Sequence, residues 1–263
     1  MAKEESKPFE VYAIKYAHHE RQARENYINP DIHDSSMPMD YFMWVARNED
    51  RVVVIDTGFN EEVARKRGRE FLRCPAASLS LLDISAAQIR DVVITHMHYD
   101  HVGNFLLFPN ADFHVQDREV NFATGRNMRH ACMRNAYEPR DVADLVMKVF
   151  QDRVVFHDGD SVLCPGLSLH LIGGHTAGLQ VVRVWTRKGW LVLASDAAHY
   201  YGNMEHGKPF PIVFNMSEML EGHARLHELA DSAGLVVPGH DPAVLERFPA
   251  AGAGLEGVVA QLA

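Results

Sequence analysis

The stretch VVITHMHYDH, residues 92–101, decides the fold of this chain. Its first three residues are apolar and β-branched, which predicts a short buried strand. That strand runs directly into four side chains of the kind that bind metals, at His96, His98, Asp100 and His101. Imidazole nitrogen and carboxylate oxygen suit Zn²⁺ and neighbouring divalent ions. A solvated turn would not require so many ligand-type side chains, so the stretch predicts a metal-binding loop at the C-terminal end of a strand.

Three later positions follow strand-like segments in the same way. His175 comes after residues 172–174, Asp196 after the apolar run 191–195, and His240 after residues 236–239. Any one of them alone would more often be a turn or capping residue. Because α/β proteins commonly place their sites at the carboxyl ends of strands, the joint pattern predicts one site formed by five histidines and two aspartates.

The rest of the chain places strands ahead of helices in both halves. The predicted strands are 9–17, which is expected at a sheet edge, the hairpin 41–46 and 51–56, and 92–94, 112–116, 154–156, 161–164, 167–172, 179–186, 190–195 and 235–237. The predicted helices are 61–72, 119–150 with a break near Pro139, and 217–231 with Ser217 as N-cap, and Ser85 with Gln88 forms a capping-box pattern. Residues 18–40 are predicted as a long loop, and residues 250–257 as a loop or a weak helix. This order predicts two sheets packed face to face with helices outside, in a single α/β domain over 1–263.

The composition narrows the classes of partner. The chain has 263 residues, of which 47% are hydrophobic, and a formal net charge of −9. Binding a nucleic acid needs clustered Lys and Arg, so no nucleic-acid partner is expected. No apolar run reaches the ~18 residues of a membrane span, so no membrane partner is expected either. Three cysteines without a CxxC pair, together with the charged start MAKEESKPFE, predict a reducing, cytoplasmic location without a signal peptide.

These motifs resemble the metallo-β-lactamase superfamily over nearly the whole chain. The HxHxDH signature of that family is matched by His96, His98, Asp100 and His101, and its later His, Asp and His motifs by His175, Asp196 and His240. The resemblance implies an αβ/βα four-layer sandwich, the metallo-β-lactamase fold, with two metals at one edge between the sheets. It assigns one metal to His96, His98 and His175, the other to Asp100, His101 and His240, and makes Asp196 the bridge.

Such a pair of ions has a clear chemical use. Two Zn²⁺ ions (or Mn, Fe or Co) per chain can lower the pKa of a shared water toward neutrality, so that the resulting hydroxide attacks an ester-like carbonyl. Asp100 is expected to carry a proton to the leaving group as well as to bind metal. Asp56, which matches the early Asp of the family, is expected to hydrogen-bond a ligand and fix its orientation.

Within the superfamily the chain most resembles the N-acyl-homoserine lactonase group. The resemblance lies in HMHYDHVGN at 96–104, in residues 195–198, and in the strand 41–44 that leads to residues 54–58. It implies hydrolytic opening of a small-molecule lactone, a quorum-quenching reaction. A homodimer is expected by analogy with that group, with the loop 18–40 reaching the partner. The chain departs from the group at His199, where many lactonases have a Tyr. His199, or one of the tyrosines that follow it at Tyr200 and Tyr201, is therefore expected to contact the substrate carbonyl.

Other hydrolases with the same ligands stay open as alternatives. One is a hydrolase of a different lactone, such as a pyridoxolactone-like compound. Another is a glyoxalase-II-like thioesterase, although that class usually adds a basic helical C-terminal region. A non-enzymatic metal- or lactone-binding protein is the alternative of a different class. A zinc β-lactamase, an RNase-Z-like phosphodiesterase and a flavodiiron-type module fit the motifs or the charge less well.

An acyl chain would need an apolar pocket wall. Candidate lining residues are Met37, Met39, Phe42, Phe105, Phe108, Met128, Met133 and Phe214. Methionine adapts well to such pockets, but it also fills cores, so the sequence leaves both roles open for these residues.

Overall fold

The computed structural model describes residues 7–30 and 35–263, which form two β-sheets with helices around them. The larger sheet contains β1 (Glu10–His19), β2 (Met39–Arg47), β3 (Val52–Ile55), β4 (Glu70–Phe71), β5 (Asp91–Val93), β6 (Asp112–Gln116), β7 (Val154–His157) and, from the end of the chain, β13 (Val259–Gln261). The smaller sheet contains β8 (Ser161–Cys164), β9 (Leu167–Leu171), β10 (Gln180–Thr186), β11 (Gly189–Ser195) and β12 (Val236–Pro238).

The strand order differs from the chain order in both sheets. In the part of the chain that the structure describes, the larger sheet runs β13-β1-β2-β3-β5-β6-β7, with β4 paired to β1, and the smaller runs β12-β11-β10-β9-β8. The helices are α1 (Glu61–Arg67), α2 (Pro75–Ser78), α3 (Asp117–Thr124), α4 (Ala131–Arg134), α5 (Pro139–Val149), α6 (Tyr201–Glu205), α7 (Met216–Leu229) and α8 (Ala243–Arg247). Across the described ranges, none of these helices combines the length and apolar character needed to cross a bilayer.

Strand β2 shows why the molecule has four layers. Its side chains alternate between the two faces of the larger sheet, as the period of a strand requires. Phe42 and Trp44 point into the core between the two sheets, whereas Tyr41 and Met43 belong to the core on the outer face. Both faces are buried because helices α1, α2, α3 and α5 cover the outer side of this sheet. Leu226 of α7 packs in the same way on the outer side of the smaller sheet, so the predicted sandwich is confirmed.

The site lies where parallel strands end. Strands β3, β5, β6 and β7 are mutually parallel, and β12 runs parallel to β11 in the smaller sheet. Their carboxyl ends therefore meet at one edge of the sandwich, which is where binding residues of α/β sheets commonly collect. The loop after β5 carries His96–His101, and the ends of β11 and β12 carry Asp196 and His240.

The prediction of an edge strand at 9–17 is wrong. Strand β1 pairs with β2 on one side and with β13 on the other, with Ala13 opposite Ala260. The C-terminal residues return across more than 240 positions of sequence to occupy that edge, and nothing near residue 9 signals this pairing. The Ala- and Gly-rich segment ahead of β13, predicted as a loop or a weak helix, is a loop.

Two helix boundaries also differ from prediction. Helix α1 ends at Arg67 because Gly68 adopts a left-handed conformation with φ 64°, and β4 follows where a longer helix was expected. Helix α7 is capped by Asn215, whose side chain accepts hydrogen bonds from the backbone of Ser217 and Glu218, so Ser217 lies inside the helix. The capping box of Ser85 is present, although it begins only a short 3-10 turn.

The predicted loop 18–40 is shorter than expected. His18 and His19 extend β1, Met39 and Asp40 begin β2, and a short 3-10 turn spans Ala23–Glu25. Residues 31–34 of this loop, like residues 1–6 of the charged N-terminal segment, lie outside the described residues.

Candidate metal centre

Four donor atoms converge in the first half of the site. The Nδ1 atom of His98 lies 3.0 Å from Nε2 of His96 and 2.8 Å from Nε2 of His175. The Oδ2 atom of Asp196 lies 3.2 Å from Nε2 of His175 and 3.6 Å from Nε2 of His96. Ligands bound tetrahedrally at the usual 2.0–2.1 Å lie roughly 3.3 Å from one another, so one divalent ion fits between these four atoms.

A second set of donors lies on the other side of Asp196. Its Oδ1 atom is 2.9 Å from Nε2 of His240 and 3.2 Å from Nε2 of His101. Asp100 completes this set, with Oδ2 3.7 Å from the His240 nitrogen and 3.9 Å from the His101 nitrogen. The two oxygens of one carboxylate thus face two separate donor sets, which is the geometry that a bridging ligand needs.

The donor atoms of the second set lack partners of their own. Among the described residues, Nε2 of His101, Nε2 of His240 and Oδ1 of Asp196 are buried and form no hydrogen bond. Buried polar atoms without a partner cost about 1–3 kcal/mol each, so such a cluster requires an explanation. A pair of divalent cations would satisfy all three atoms. The residues present therefore fit a dinuclear metal centre.

Electrostatics lead to the same conclusion. Burial, reinforced by neighbouring imidazoles, holds the pKa of His96 and His98 well below the usual range, so both are neutral, the form that binds metals. Burial would also lower the pKa of His101, but the carboxylates of Asp196, Asp56 and Asp100 outweigh it and raise that pKa well above its usual value. The second half of the site thus carries surplus negative charge, which a cation would neutralise.

The far nitrogen of three histidines is held by an acceptor. Nδ1 of His101 donates to the Asp56 carboxylate at 2.7 Å. Nδ1 of His175 donates to the Ile212 carbonyl at 2.8 Å, and Nδ1 of His240 donates to the Asp40 carbonyl at 2.8 Å. Carboxylate and carbonyl oxygens only accept, so each of these rings carries a proton on Nδ1 and turns Nε2 toward the other donor atoms. This arrangement orients metal-binding histidines and selects their tautomer. Asp56 has the contact that the sequence predicted for it.

Hydrogen bonds between two residues with strained backbone and Thr95 link the two sheets at the site. Asp56 and Ser195 have φ angles of 62° and 45°, in the left-handed region that costs a side-chain-bearing residue about 1–3 kcal/mol. Both are anchored on Thr95, whose hydroxyl lies 2.8 Å from Asp56 Oδ2 and 2.9 Å from Ser195 Oγ. Because Ser195 directly precedes Asp196, this network sets the position of the shared carboxylate.

The sequence of this chain matches the model of a known protein family. A family model described as the metallo-beta-lactamase superfamily matches residues 38–240, more than half of the chain. The chain belongs to this superfamily. A probable metallo-hydrolase of Mycobacterium bovis is 25% identical over 240 residues, which cover 75% of this chain and 73% of the relative. The metallo-beta-lactamase domain described here is therefore a metal-dependent hydrolase.

Lactonases are among its relatives and structural neighbours. An N-acyl homoserine lactonase of Azorhizobium caulinodans is 28% identical over 171 residues, which cover 63% of either chain. A solved N-acyl homoserine lactone hydrolase, with the product N-hexanoyl-L-homoserine at its metal centre, superposes with a TM-score of 0.74 at 19% identity. That superposition covers 90% of this chain and 94% of the other. At this identity, the structural likeness shows a shared fold.

Sequence reasoning missed a buried carboxylate that ties two loops of this metallo-beta-lactamase site together. Oε1 of Glu119 accepts from the backbone of Met97, while Oε2 accepts from the Thr176 hydroxyl at 2.6 Å and the Gly178 backbone at 3.1 Å. Glu119 lies on the buried face of α3 together with Phe122. A carboxylate on the apolar face of a helix was the signal that could have identified it.

Sequence reasoning also missed the polar wall of the pocket above the metal centre. This pocket has a volume of about 80 Å³. Its walls are formed by Arg21, Met39, Tyr41, Arg67, Arg69, His98, Tyr99, Asp100, Asn135, Ala136, Asp196, His199, Phe210, Ile212 and His240. Nothing in the local sequence around the three arginines marks them, because they reach the pocket only through the fold.

His199 and Tyr200, both predicted to meet the substrate, have different surroundings. His199 lines the pocket, stacks on Phe210 with ring centroids 3.7 Å apart, and places Nε2 3.0 Å from Oδ2 of Asp196. Burial lowers its pKa to about 3, so the ring is neutral and Nε2–H donates to the carboxylate. The Tyr200 hydroxyl instead donates to the Pro38 carbonyl at 3.3 Å, and Tyr200 is not part of the pocket wall. The position of Tyr200 therefore does not support the expected contact between its hydroxyl and the substrate carbonyl.

The predicted apolar lining is mostly core. Of the eight candidates, only Met39 is among the described residues that line the pocket. Phe42 is buried between the sheets, and Phe105 and Phe108 are buried on the outer face of the larger sheet. Met37, Met128 and Met133 pack against that outer core, and Phe214 packs on Phe122. Phe210 and Ile212 supply apolar surface that the sequence did not identify.

Proposed function

We propose that this hydrolase opens the ring of a lactone, with an N-acyl homoserine lactone as its substrate. The observation that carries the proposal is the Asp196 carboxylate, whose two oxygens face two complete donor sets at the base of a small pocket. By this measure of volume a single water needs about 10–15 Å³, so 80 Å³ holds a compact head such as a five-membered ring. The named lactonases among the relatives support this choice of ring.

The residues of the site would bind the two metals and transfer one proton. One divalent metal would be held by His96, His98 and His175. The other would be held by Asp100, His101 and His240, and Asp196 would bind both metals. When bound, the two metals would activate water and polarise the carbonyl of the substrate. We assign the proton for the leaving alkoxide to Asp100, because its carboxylate is more exposed to the pocket than that of Asp196, at 10% against 3%. Zinc is the proposed metal, since the donor set of imidazoles and carboxylates suits it.

We assign His199 a positioning role. Its contact with Oδ2 of Asp196 differs from the expected donor aimed at a substrate carbonyl. His199→Phe should keep the stacking on Phe210 but lose the hydrogen bond, and should weaken metal binding about 10- to 100-fold, as loss of a residue that orients a ligand usually does. Competition with a chromogenic chelator measures this affinity, and His199→Gln should recover part of it. Unchanged metal affinity in His199→Phe would assign the histidine to packing alone.

Metal removal tests the hydrolytic proposal directly. The purified protein should contain about two metals per chain, and removing them should lower N-hexanoyl homoserine lactone hydrolysis at least a hundredfold, with recovery on adding Zn²⁺. Inductively coupled plasma mass spectrometry and a pH-indicator assay supply the two measurements. Full activity in the metal-free protein would refute the proposed chemistry.

The same preparation distinguishes the alternatives. Its kcat/KM is measured on the lactone, on S-lactoylglutathione, on nitrocefin and on bis-4-nitrophenyl phosphate. The lactone should exceed the other three at least tenfold. A preference for the thioester would replace the proposed substrate by a glyoxalase-II-like one. Cytoplasmic location, quorum quenching and a homodimer remain predictions.

A further inference from the structure

Three arginines line the active-site pocket of an otherwise acidic protein, together with the carboxylates of Asp100 and Asp196. Arg21, Arg67 and Arg69 all line it, although the whole chain carries a formal net charge of −9. Arginine is the side chain best suited to bind carboxylate, because its planar guanidinium offers two parallel N–H donors. A neutral substrate does not explain why a protein with a negative net charge places three arginines at its pocket.

Arg67 is held in place by the protein itself. It donates to Glu138 at 2.8 Å and to the carbonyl oxygens of Asn135 and Tyr137, and its guanidinium lies 4.0 Å from the centre of the Tyr99 ring. Its charge is neutralised by Glu138, so Arg67 shapes the wall of the pocket.

Arg69 is different because it has neutral partners. Its guanidinium contacts the Tyr99 hydroxyl at 3.1 Å, Nε2 of His19 at 3.0 Å and the Arg67 carbonyl at 2.8 Å. Within residues 7–30 and 35–263 it forms no ion pair with a carboxylate, although it is half-buried. Burial would lower the pKa of Arg69, but the Tyr99 hydroxyl and the nearby Asp100 carboxylate favour the charged form and raise that pKa. A half-buried guanidinium without a carboxylate in direct contact still offers its N–H donors to an anion in the pocket.

Arg21 lies on the side of the pocket that Phe210 forms. Its guanidinium is 5.3 Å from the centre of the Phe210 ring, which also stacks on the rings of His199 and Tyr200. Its side chain donates to the amide oxygen of Asn26 at 2.7 Å and to the carbonyl of Glu25. Among the described residues, both of these partners are neutral acceptors, and they fix the position of the side chain.

We propose that this pocket selects substrates that carry a carboxylate away from the scissile carbonyl, and that Arg69, with Arg21, binds that carboxylate. The inference rests on the proposed hydrolase function and narrows its substrate class to anionic lactones or esters. Arg69 is then a specificity residue, which contacts the part of the substrate that does not react. A purely structural role, joining β1 to the metal-binding loop through His19 and Tyr99, is the competing explanation.

Matched substrates separate the two explanations. N-glutaryl homoserine lactone carries a terminal carboxylate, and its terminal amide has nearly the same shape without the charge. Wild type should hydrolyse the acid with a kcat/KM at least tenfold above that of the amide, mainly through a lower KM, because a charge-assisted hydrogen bond contributes a factor of about 10 to 100. In Arg69→Gln this ratio should fall to about one, and Arg69→Lys should restore part of it.

The control is Arg65→Gln, which removes an equal charge from an exposed position on α1 outside the pocket. This variant should keep the wild-type preference for the acid over the amide if that preference comes from direct contact between Arg69 and the carboxylate. Long-range attraction by positive charge would instead lower the preference in this variant too. Equal kcat/KM for acid and amide in wild type would overturn the proposal. An equal loss on both substrates in Arg69→Gln, with the ratio unchanged, would also overturn it and assign Arg69 a structural role.

Calorimetry keeps the test independent of lactone hydrolysis. If wild type opens neither lactone, the proposed function fails, and titration of the metal-loaded protein with glutarate and glutaramide decides the arginine proposal. Glutarate should bind at least tenfold more tightly than glutaramide, and Arg69→Gln should abolish the difference. Equal binding of the two compounds would overturn the proposal.

Discussion

Asp196→Asn should lower the kcat/KM of the hydrolase about a thousandfold and release at least one metal per chain. The substitution keeps the shape of the side chain but removes the negative charge, and only one of its two polar ends remains a good ligand. Oδ1 and Oδ2 each face a different donor set, so losing either contact separates the two halves of the centre. The loss should be larger than for a histidine that serves one metal.

Metal content by mass spectrometry and the lactone assay check this result together. The matched control is Asp158→Asn, which removes the same charge from an exposed aspartate that belongs neither to the cluster nor to the pocket wall. It should retain two metals and the full rate. Two tightly bound metals in Asp196→Asn, with a rate near that of wild type, would contradict the bridging role.

Glu119→Ala should destabilise the fold by about 3 kcal/mol and weaken metal binding at the same time. The substitution leaves four buried donors, from Met97, Tyr137, Thr176 and Gly178, without their acceptor, and each such group costs about 1–3 kcal/mol. Burial raises the pKa of Glu119, which shows that burying the charged carboxylate is unfavourable. Removing that carboxylate removes this unfavourable contribution and offsets part of the loss in stability. Because Met97 lies between two predicted ligands and Thr176 follows a third, both loops should loosen.

Urea denaturation of the metal-free protein measures the free energy of unfolding, and chelator competition measures metal affinity. Glu119→Gln keeps one oxygen acceptor and should fall between wild type and Glu119→Ala. Glu62→Gln on the exposed side of α1 is the control and should change neither quantity. If Glu119→Ala unfolds at the wild-type urea concentration, the carboxylate does not hold the loops together.

These two carboxylates have different physical roles in one centre. Asp196 acts through its charge at the donor atoms, so its replacement should reduce activity more than stability. Glu119 touches no donor atom and acts through the backbone of the loops that carry them. Measuring both variants for stability and for metal affinity therefore tests whether holding the loops and holding the metals are separable functions of this fold.

Local patterns in the sequence predicted the parts that depend on neighbouring residues. The hairpin between β2 and β3 turns at Asn48, whose side chain accepts from the backbone of Asp50 and Arg51, two and three residues away. The loop 96–101 follows its strand because ligand-type residues replace apolar ones at one point of the chain. Recognition of the family then supplied the grouping of His175, Asp196 and His240, and the structure brings them together.

The tertiary structure decided what depends on residues far apart in sequence. The acceptor for Nδ1 of His240 is the carbonyl of Asp40, 200 residues earlier, and β13 pairs with β1 from the other end of the chain. Arg69 has no local signature, because an arginine after a glycine is an ordinary surface residue until packing buries it. The place of Glu119 on the apolar face of α3 marks it as buried but does not say which loops its carboxylate holds. Periodicity reports which face of an element is buried, but only the packing of the sheets and helices decides which polar groups meet there.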